Sequence, residues 1–228
     1  MDIKIIASGS SGNAYLIGDG KTHLLLDAGI PFKRIQIGCG FRTSSIDGCL
    51  VTHRHGDHAM AIPKLLQRGI RVYSNDDVAE IHKGVRALAP LQEHTIGTFR
   101  ILPFEAEHDV PCYGYQATSV ETGEKLVYIT DSAYVRYTFT GLTHIMIEAN
   151  YAQEIIIDNA KHERIPLYLA ERVIQTHMSI ETLLDLLQAN DMSKVRQIYL
   201  LHLSDGNSDA EAFKRQVQQE TGAEVYIA

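Results

Sequence analysis

The chain has 228 residues, of which 45% are hydrophobic and 21% charged, values that are ordinary for a globular protein with a substantial core. We expect residues 1–228 to form a single domain, because layered α/β domains reach this length. The formal net charge of −7 argues against a protein that holds nucleic acid by a broad basic surface. A phosphodiester substrate is not excluded, because two divalent cations would add about four positive charges at one spot.

The cysteines and the N-terminus carry information about the compartment. Cys39, Cys49 and Cys112 are widely scattered and form no C-x-x-C pair, so neither a disulfide framework nor a cysteine-zinc knuckle is predicted. The first 13 residues lack a basic stretch followed by a long apolar run, and nothing approaches the roughly 20 apolar residues of a membrane span. We expect a cytoplasmic protein that does not bind membranes.

Short strands separated by tight turns are predicted for the first third of the chain, at residues 3–8, 14–17, 24–27, 49–52 and 71–74. An apolar-patterned helix begins at Ala59 and stops at Gly69, and Asn75 can cap the helix after the last of these strands. The middle of the chain is strand-rich, with candidates at residues 99–104, 113–120, 125–130 and 145–148.

The last third is predicted to be mostly helical. Ser179 can cap a helix with leucines at 183, 184, 186 and 187, which should face the core. After a strand at 197–201, Ser208 and Glu211 form a capping box for a helix that ends near Gly222, and a strand at 224–227 follows. Strands followed by helices, twice over, predict an α/β fold of two packed mixed sheets flanked by helices.

The segment from 50 to 58 reads Leu-Val-Thr-His-Arg-His-Gly-Asp-His and places four candidate ligands within six residues. Side chains two apart in an extended chain share a face, so His53 and His55 can bind one ion together. Gly56 permits a sharp bend that would turn Asp57 and His58 towards a second ion. Zinc, manganese and iron accept such nitrogen and oxygen ligands. The alternative is a polar loop rich in histidine by chance, which the apolar strand directly before the motif makes less favourable.

The H-x-H-x-D-H motif resembles that of the metallo-β-lactamase superfamily, whose members share an αββα sandwich. Later strands of that family supply a further His, a bridging Asp and a last His, and His108, Asp131 and His202 each follow an apolar strand here. The resemblance implies two divalent ions, zinc first and manganese as the alternative. It implies that the first ion is held by His53, His55 and His108, and the second by Asp57, His58 and His202, with Asp131 as the bridge.

Four further stretches are similar to landmarks of the YycJ/WalJ branch of that superfamily: 8–13 (Ser-Gly-Ser-Ser-Gly-Asn), 26–29 (Leu-Asp-Ala-Gly), 148–150 (Glu-Ala-Asn) and 177–179 (His-Met-Ser). His177 precedes the helix cap Ser179, so it can contact or protonate a substrate phosphate, or it is a structural histidine. Ser10 and Asn13 lie in a glycine-rich loop that can contact a phosphate or form a tight turn between strands.

This branch implies a phosphodiesterase, most simply a DNA or RNA exonuclease that uses a metal-activated water. The candidate catalytic residues are Asp57 and Asp131, which can orient the water, and His177, which can protonate the leaving group. The alternatives are a cyclic-nucleotide phosphodiesterase of the phage anti-Pycsar type and a thioester or lactone hydrolase. An open groove with a basic track would indicate a polymer, and a closed pocket a small ligand. A homodimer is compatible with the sequence.

Overall fold

The computed structural model describes residues 1–228. The chain divides into two compact units, one formed by Met1–Glu105 and Val110–Glu124, the other by Ala106–Asp109 and Lys125–Ala228. Its strands form two sheets, of six and of seven strands. None of the helices is long and apolar enough to cross a membrane.

The first unit carries nine strands and four short helices. The strands are β1 (Asp2–Ala7), β2 (Ala14–Gly18), β3 (His23–Leu26), β4 (Gly48–Leu50), β5 (Val72–Ser74), β6 (Arg86–Ala87), β7 (His94–Ile96), β8 (Phe99–Ala106) and β9 (Cys112–Ser119). The helices are α1 (Phe32–Gly38), α2 (Gly56–Ala59), α3 (Ile62–Gln67) and α4 (Asp76–Ile81). The six-stranded sheet takes β1 to β6 in chain order; β1–β3 are antiparallel and β3–β6 are parallel, so the sheet is mixed.

The core of the first unit lies where the parallel strands meet the helices. Leu25, Cys49 and Val72 are fully buried and pack with Ile35 of α1 and Ile62 of α3. Strands that are buried on both faces have continuous apolar sequences. For this reason β3 to β5 show no alternation of apolar and polar residues. The three cysteines are free thiols with buried side chains.

The second unit carries four strands and four helices. They are β10 (Lys125–Ile129), β11 (His144–Glu148), α5 (Gln153–Lys161), α6 (Leu167–Thr176), α7 (Ile180–Gln188), β12 (Gln197–Leu201), α8 (Ala210–Thr221) and β13 (Glu224–Ile227). The four strands are parallel neighbours in chain order. Because the carboxyl ends of parallel strands meet at one edge, the residues that follow β10, β11 and β12 are brought together.

Helix termini test the capping predictions. Asn75 and Ser179 accept hydrogen bonds from the backbone N–H of Val78 and Thr182, and Gly222 ends α8 with a left-handed φ of 70°, so these predictions are confirmed. The helix predicted from 59 to 69 corresponds to α3 (Ile62–Gln67), and Ala59 is the last residue of the preceding helix α2.

The capping box proposed for α8 is wrong. Asp209, not Ser208, caps the helix, accepting from the backbone N–H of Ala212 at 2.9 Å. The Ser208 hydroxyl instead donates to the carbonyl of Ser204 at 2.7 Å. Two adjacent residues with good capping side chains compete here, and the turn that precedes the helix engages the serine.

Candidate metal centre

His53 and His55 lie just beyond β4, on the extended chain that leaves the buried strand. Nε2 of His53 lies 3.0 Å from Nδ1 of His55. Two nitrogens bound tetrahedrally to one zinc ion at about 2.0–2.1 Å are separated by roughly 3.3 Å, so the two ring nitrogens are placed as ligands of a common ion would be. The Thr52 hydroxyl lies 3.0 Å from Nδ1 of His53, the ring nitrogen that does not face His55, and it orients the His53 ring.

The turn after His55 is helical. Gly56 is the first residue of α2, and its backbone does not adopt the left-handed conformation that favours glycine. A Cβ at Gly56 would meet no atom within 4 Å. The expectation that Gly56 provides a special bend is therefore wrong, because an ordinary helical turn of 3.6 residues already changes the direction of Asp57 and His58.

His58 is fixed by a buried carboxylate that the sequence did not single out. Nδ1 of His58 lies 2.7 Å from Oδ2 of Asp27, and both side chains are fully buried. Oδ1 of Asp27 accepts from the backbone N–H of Thr52 at 2.8 Å. With its Nδ1 proton engaged by Asp27, His58 presents Nε2 as an acceptor, and the Asn13 amide nitrogen lies 3.0 Å from that atom. A carboxylate behind a histidine sets the tautomer and the ring orientation that metal binding requires.

Backbone groups hold α2 against the ends of β2 and β3. The N–H of Asn13 donates to the carbonyl of Asp57, and the N–H of Ala28 donates to the carbonyl of His58, both at 2.8 Å. A Cβ added to Gly29 would lie 1.5 Å from the Asp57 carbonyl oxygen. This closeness gives a physical reason for glycine in the Leu-Asp-Ala-Gly landmark.

The glycine-rich loop before β2 places its two candidate substrate residues differently. Ser10 is exposed, whereas Asn13 is fully buried. Oδ1 of Asn13 accepts from the backbone N–H of Gly9 at 3.0 Å and from the hydroxyl of Tyr15 at 2.9 Å. The structure thus gives Asn13 a holding role in the loop.

Four ionisable side chains meet at the carboxyl edge of the parallel strands in the second unit. Their ligand atoms all lie within 4.8 Å of one another, and the residues are Asp131, Glu148, His177 and His202. Three follow or end β10, β11 and β12, and the fourth caps the C-terminus of α6. Nδ1 of His202 lies 2.7 Å from Asp131 Oδ1 and 3.1 Å from Glu148 Oε1.

Glu148 binds two histidines and two backbone groups. Its Oε1 lies 2.7 Å from Nδ1 of His177, and its Oε2 accepts from the N–H groups of Met178 (2.9 Å) and Ser132 (3.2 Å). The sequence analysis includes this residue only as part of the Glu-Ala-Asn landmark. A glutamate directly after the apolar run 145–147 of a fully buried strand is the signal that would have identified it.

In this cluster, burial and the neighbouring charges shift the pKa values in opposite directions. Burial lowers the pKa of His202, but the carboxylates of Asp131 and Glu148 more than offset it and raise the pKa to about 10. Burial also lowers the pKa of His177, and the Glu148 carboxylate again leaves it above the ordinary value. Burial raises the pKa of Glu148, but the two imidazoles hold it below its usual range. Glu148 is therefore a carboxylate between two imidazoles.

His108 belongs to the second unit and contacts the C-terminal end of α6. Its Nδ1 donates to the carbonyl of Thr176 at 3.0 Å, and Nε2 lies 3.1 Å from Asp109. The rings of His108 and His177 are 6.0 Å apart between centroids. Burial lowers the pKa of His108 below that of an ordinary imidazole.

Two of these strand-end residues have unusual backbones. Asp131 and His202 take left-handed φ values of 47° and 52°, which cost free energy for residues other than glycine and often mark functional sites. Asn150 stabilises the second of these turns: its side-chain amide donates to the carbonyl of His202 at 2.8 Å, and its own carbonyl accepts from the N–H of Ser204 at 2.9 Å. These bonds explain the asparagine of the Glu-Ala-Asn landmark.

Arg54, between the first two histidines, is directed to a surface ion pair. Its guanidinium donates to Asp77 of α4 at 3.1 Å, and the side chain is 44% exposed. Two histidines outside the candidate site have ordinary local partners: His144 is buried beside the Thr143 hydroxyl, and His162 is exposed beside Asp158.

The model of the β-lactamase superfamily domain matches residues 22–203 of this chain, from β3 to just beyond β12. The chain belongs to the metallo-β-lactamase superfamily. Membership confirms the resemblance read from the H-x-H-x-D-H motif, and it makes the protein a metal-dependent hydrolase.

Within the metallo-β-lactamase superfamily, two curated relatives match over nearly their full length. The exodeoxyribonuclease WalJ of Streptococcus pneumoniae is 27% identical, over 91% of this chain and 83% of WalJ. The exodeoxyribonuclease YycJ of Bacillus anthracis is 24% identical, over 96% of this chain and 88% of YycJ. The predicted branch is thus confirmed.

A solved structure shows the fold. The metallo-β-lactamase fold protein YhfI from Bacillus subtilis superposes with a TM-score of 0.76 at 20% identity, over 99% of this chain and 95% of YhfI. The predicted fold class, two mixed sheets flanked by helices, is confirmed.

Proposed function

We propose that this chain is a metal-dependent phosphodiesterase that hydrolyses nucleic acid, with cleavage of DNA from an end as the first expectation. The observation that carries the proposal is the pair of Glu148 and His177, a histidine oriented by a buried carboxylate and placed beside Asp131 and His202. The likeness to WalJ and YycJ, both named exodeoxyribonucleases, supports the choice of substrate.

The side chains fit divalent metal ions. In the first unit the facing nitrogens of His53 and His55, and the oriented Nε2 of His58, are donors that zinc and manganese accept. In the second unit Asp131 and His202 add a carboxylate and an imidazole. We propose the seven ligands implied by the family resemblance: His53, His55, Asp57, His58, His108, Asp131 and His202. Ions bound there would supply Lewis acidity and a water of lowered pKa.

His177 is proposed to protonate the leaving group. Its Nδ1 is engaged by Glu148, so Nε2 is the nitrogen left to donate a proton. The Glu148 carboxylate stabilises the imidazolium, and the His177 side chain is 19% exposed, so a substrate can reach it. As water adds to phosphorus and the ester P–O bond breaks, the departing oxygen takes the proton from Nε2. Asp57 and Asp131 are proposed to orient the water, and the exposed Ser10 to contact the phosphate. Asn13, which was expected to do the same, is fully buried and instead holds the loop.

Replacement of His177 tests the proposal. We expect His177→Ala to keep its metal content and to lose about 10²–10⁴-fold in kcat on a nucleotide substrate, the usual contribution of general acid catalysis. The loss should be smaller on bis(p-nitrophenyl) phosphate, because p-nitrophenol leaves with little help from a proton. His162→Ala, which removes an exposed histidine elsewhere in the unit, is the matched control.

The substrate class is tested with the wild-type chain loaded with zinc or manganese. Single-stranded DNA, duplex DNA, RNA, cyclic nucleotides, a thioester and a lactone form the panel. Hydrolysis of the thioester or lactone without any phosphodiester would refute the substrate class. If His177→Ala reduced kcat only slightly, and equally on the nucleotide substrate and on bis(p-nitrophenyl) phosphate, His177 would be a structural residue.

A further inference from the structure

The helical hairpin of α5 and α6 has apolar residues on two sides. Its inner side packs as a small core in which Tyr151, Ile156 and Ala170 are buried. Its outer side exposes Ile157 (47%), and α6 exposes Leu167 (65%) and Ile174 (45%). A helix that is apolar on both sides is normally covered on both sides.

A groove of about 270 Å³ runs between the two helices on this outer side. Buried Ile156 and Ala170 form its floor, and Ile157, Leu167 and Ile174 form its walls. Together these three wall residues expose roughly 300 Å² of apolar side chain, taking ~200 Å² for each when fully exposed. An apolar patch of this size on a monomer often has a function.

The charges at the rim indicate what covers the groove. Lys161 of α5 and Glu171 of α6 line it, one from each helix, and neither forms an ion pair within the chain. A two-fold axis over the groove would place Lys161 of each copy against Glu171 of the other, because a two-fold interface joins one patch to itself. An anionic membrane does not fit, since residues 153–176 carry four acidic and three basic side chains, without the cationic face of a membrane-binding helix.

We propose that the α5–α6 groove is the contact surface of a two-fold dimer, covered by the same groove of a second copy of this chain. The four helices then form a small bundle with an apolar centre, and the two Lys161–Glu171 pairs set its register. This inference does not depend on the proposed function, because no residue of the groove is a metal ligand or a catalytic candidate.

Charge exchange tests the interface. In sedimentation velocity the 228-residue chain should show a mass of twice 25.4 kDa. Lys161→Glu or Glu171→Lys alone places like charges across the axis and should weaken the dimer about tenfold or more. The double variant Lys161→Glu/Glu171→Lys restores opposite charges and should return the dissociation constant to within about threefold of the wild type.

A matched pair of helix-surface isoleucines tests the apolar part. Ile174→Lys should give monomers, whereas Ile37→Lys, at a 54% exposed position of α1, should leave the dimer intact. A wild-type chain that is monomeric at about 100 µM would overturn the proposal, since such a contact would be weaker than any stable dimer. A dimer that survives Ile174→Lys, or a double variant no tighter than the single ones, would overturn it equally. Circular dichroism of each variant confirms folding.

Discussion

The two units present their candidate ligands by different physical means. In the first unit the ligands are contiguous in sequence, from His53 to His58, and backbone hydrogen bonds from the ends of β2 and β3 hold their loop. In the second unit the candidate ligands Asp131 and His202 belong to a cluster of ionisable side chains from three strand ends and the end of a helix, and side-chain bonds within the cluster hold them, with Glu148 at the centre. The loop of the first unit is therefore positioned by backbone contacts, whereas the side chains of the second unit are positioned by attraction between opposite charges.

The largest effect should come from Gly29→Ala. Its Cβ would lie 1.5 Å from the Asp57 carbonyl, so α2 has to move although no ligand is changed. We expect loss of metal binding by isothermal titration calorimetry and a fall in kcat/KM of about 10³-fold, since small displacements in a site have large effects on rate.

Gly56→Ala is the matched control within the same loop. A Cβ at Gly56 meets nothing within 4 Å, and the residue is helical, so metal affinity and activity should stay within about threefold of the wild type. Comparable damage from both substitutions would show that the loop is intolerant of any change and not held by the contact at Gly29.

Glu148→Gln probes the charge balance of the second unit. The amide keeps the shape of the side chain but removes the negative charge that holds His177 and His202 in place. We expect a fall in kcat of about 10²-fold on a nucleotide substrate, with a smaller change in KM, because His177 loses the carboxylate that orients its ring. Near-normal turnover would mean that Glu148 serves only to join the strand ends.

Asp27→Asn tests the one buried carboxylate that positions a ligand of the first unit. The variant has nearly the same shape, but its amide no longer fixes the Nδ1 proton of His58. Loss of a carboxylate behind a histidine ligand typically weakens metal binding by about 10–100-fold. Competition with a chromophoric chelator measures this, and unchanged affinity would assign Asp27 to the fold alone.

The smallest effect should come from Asp19→Asn, in a turn outside both ligand regions. Burial raises the pKa of Asp19, but hydrogen bonds from Thr98, Thr22 and Ser119 more than offset it and lower the pKa from 3.8 to about 2. The ionised group therefore stabilises the fold above pH 3.8, and this contribution is lost as the pH falls through 2.

At neutral pH we expect the Asp19→Asn variant to melt about 2–4 °C lower than the wild type, which corresponds to roughly 1 kcal/mol for a chain of this size. The difference should disappear in melts recorded towards pH 2. A constant difference across that range would show that the charge of Asp19 is not what stabilises the turn.

Much of the fold follows from local patterns. The strands β12 and β13 were predicted with the residue limits that the structure has, because each is a short apolar run with clear boundaries. The two-residue strand β6, the three-residue strand β7 and the hairpin of α5 and α6 were not predicted. Their formation depends on packing against distant parts of the chain, which leaves no local period.

The candidate site divides in the same way. The ligands from His53 to His58 were identified from spacing alone, whereas His108, Asp131 and His202 needed the family resemblance to be selected among eleven histidines and many carboxylates. Asp27 and Glu148 were missed as participants because they act through other side chains. A single buried carboxylate produces no periodic pattern in the sequence. The partners of Glu148 can be identified only when the parallel strands β10, β11 and β12 are aligned.

The backbone bonds that hold α2 have a consequence for how the loop can vary in sequence. The contacts at Asn13, Ala28 and Gly29 use main-chain atoms, so they do not require particular side chains at the surface positions of the loop. A residue such as Arg54 can therefore change without moving the histidines, whereas any residue larger than glycine at 29 displaces them together.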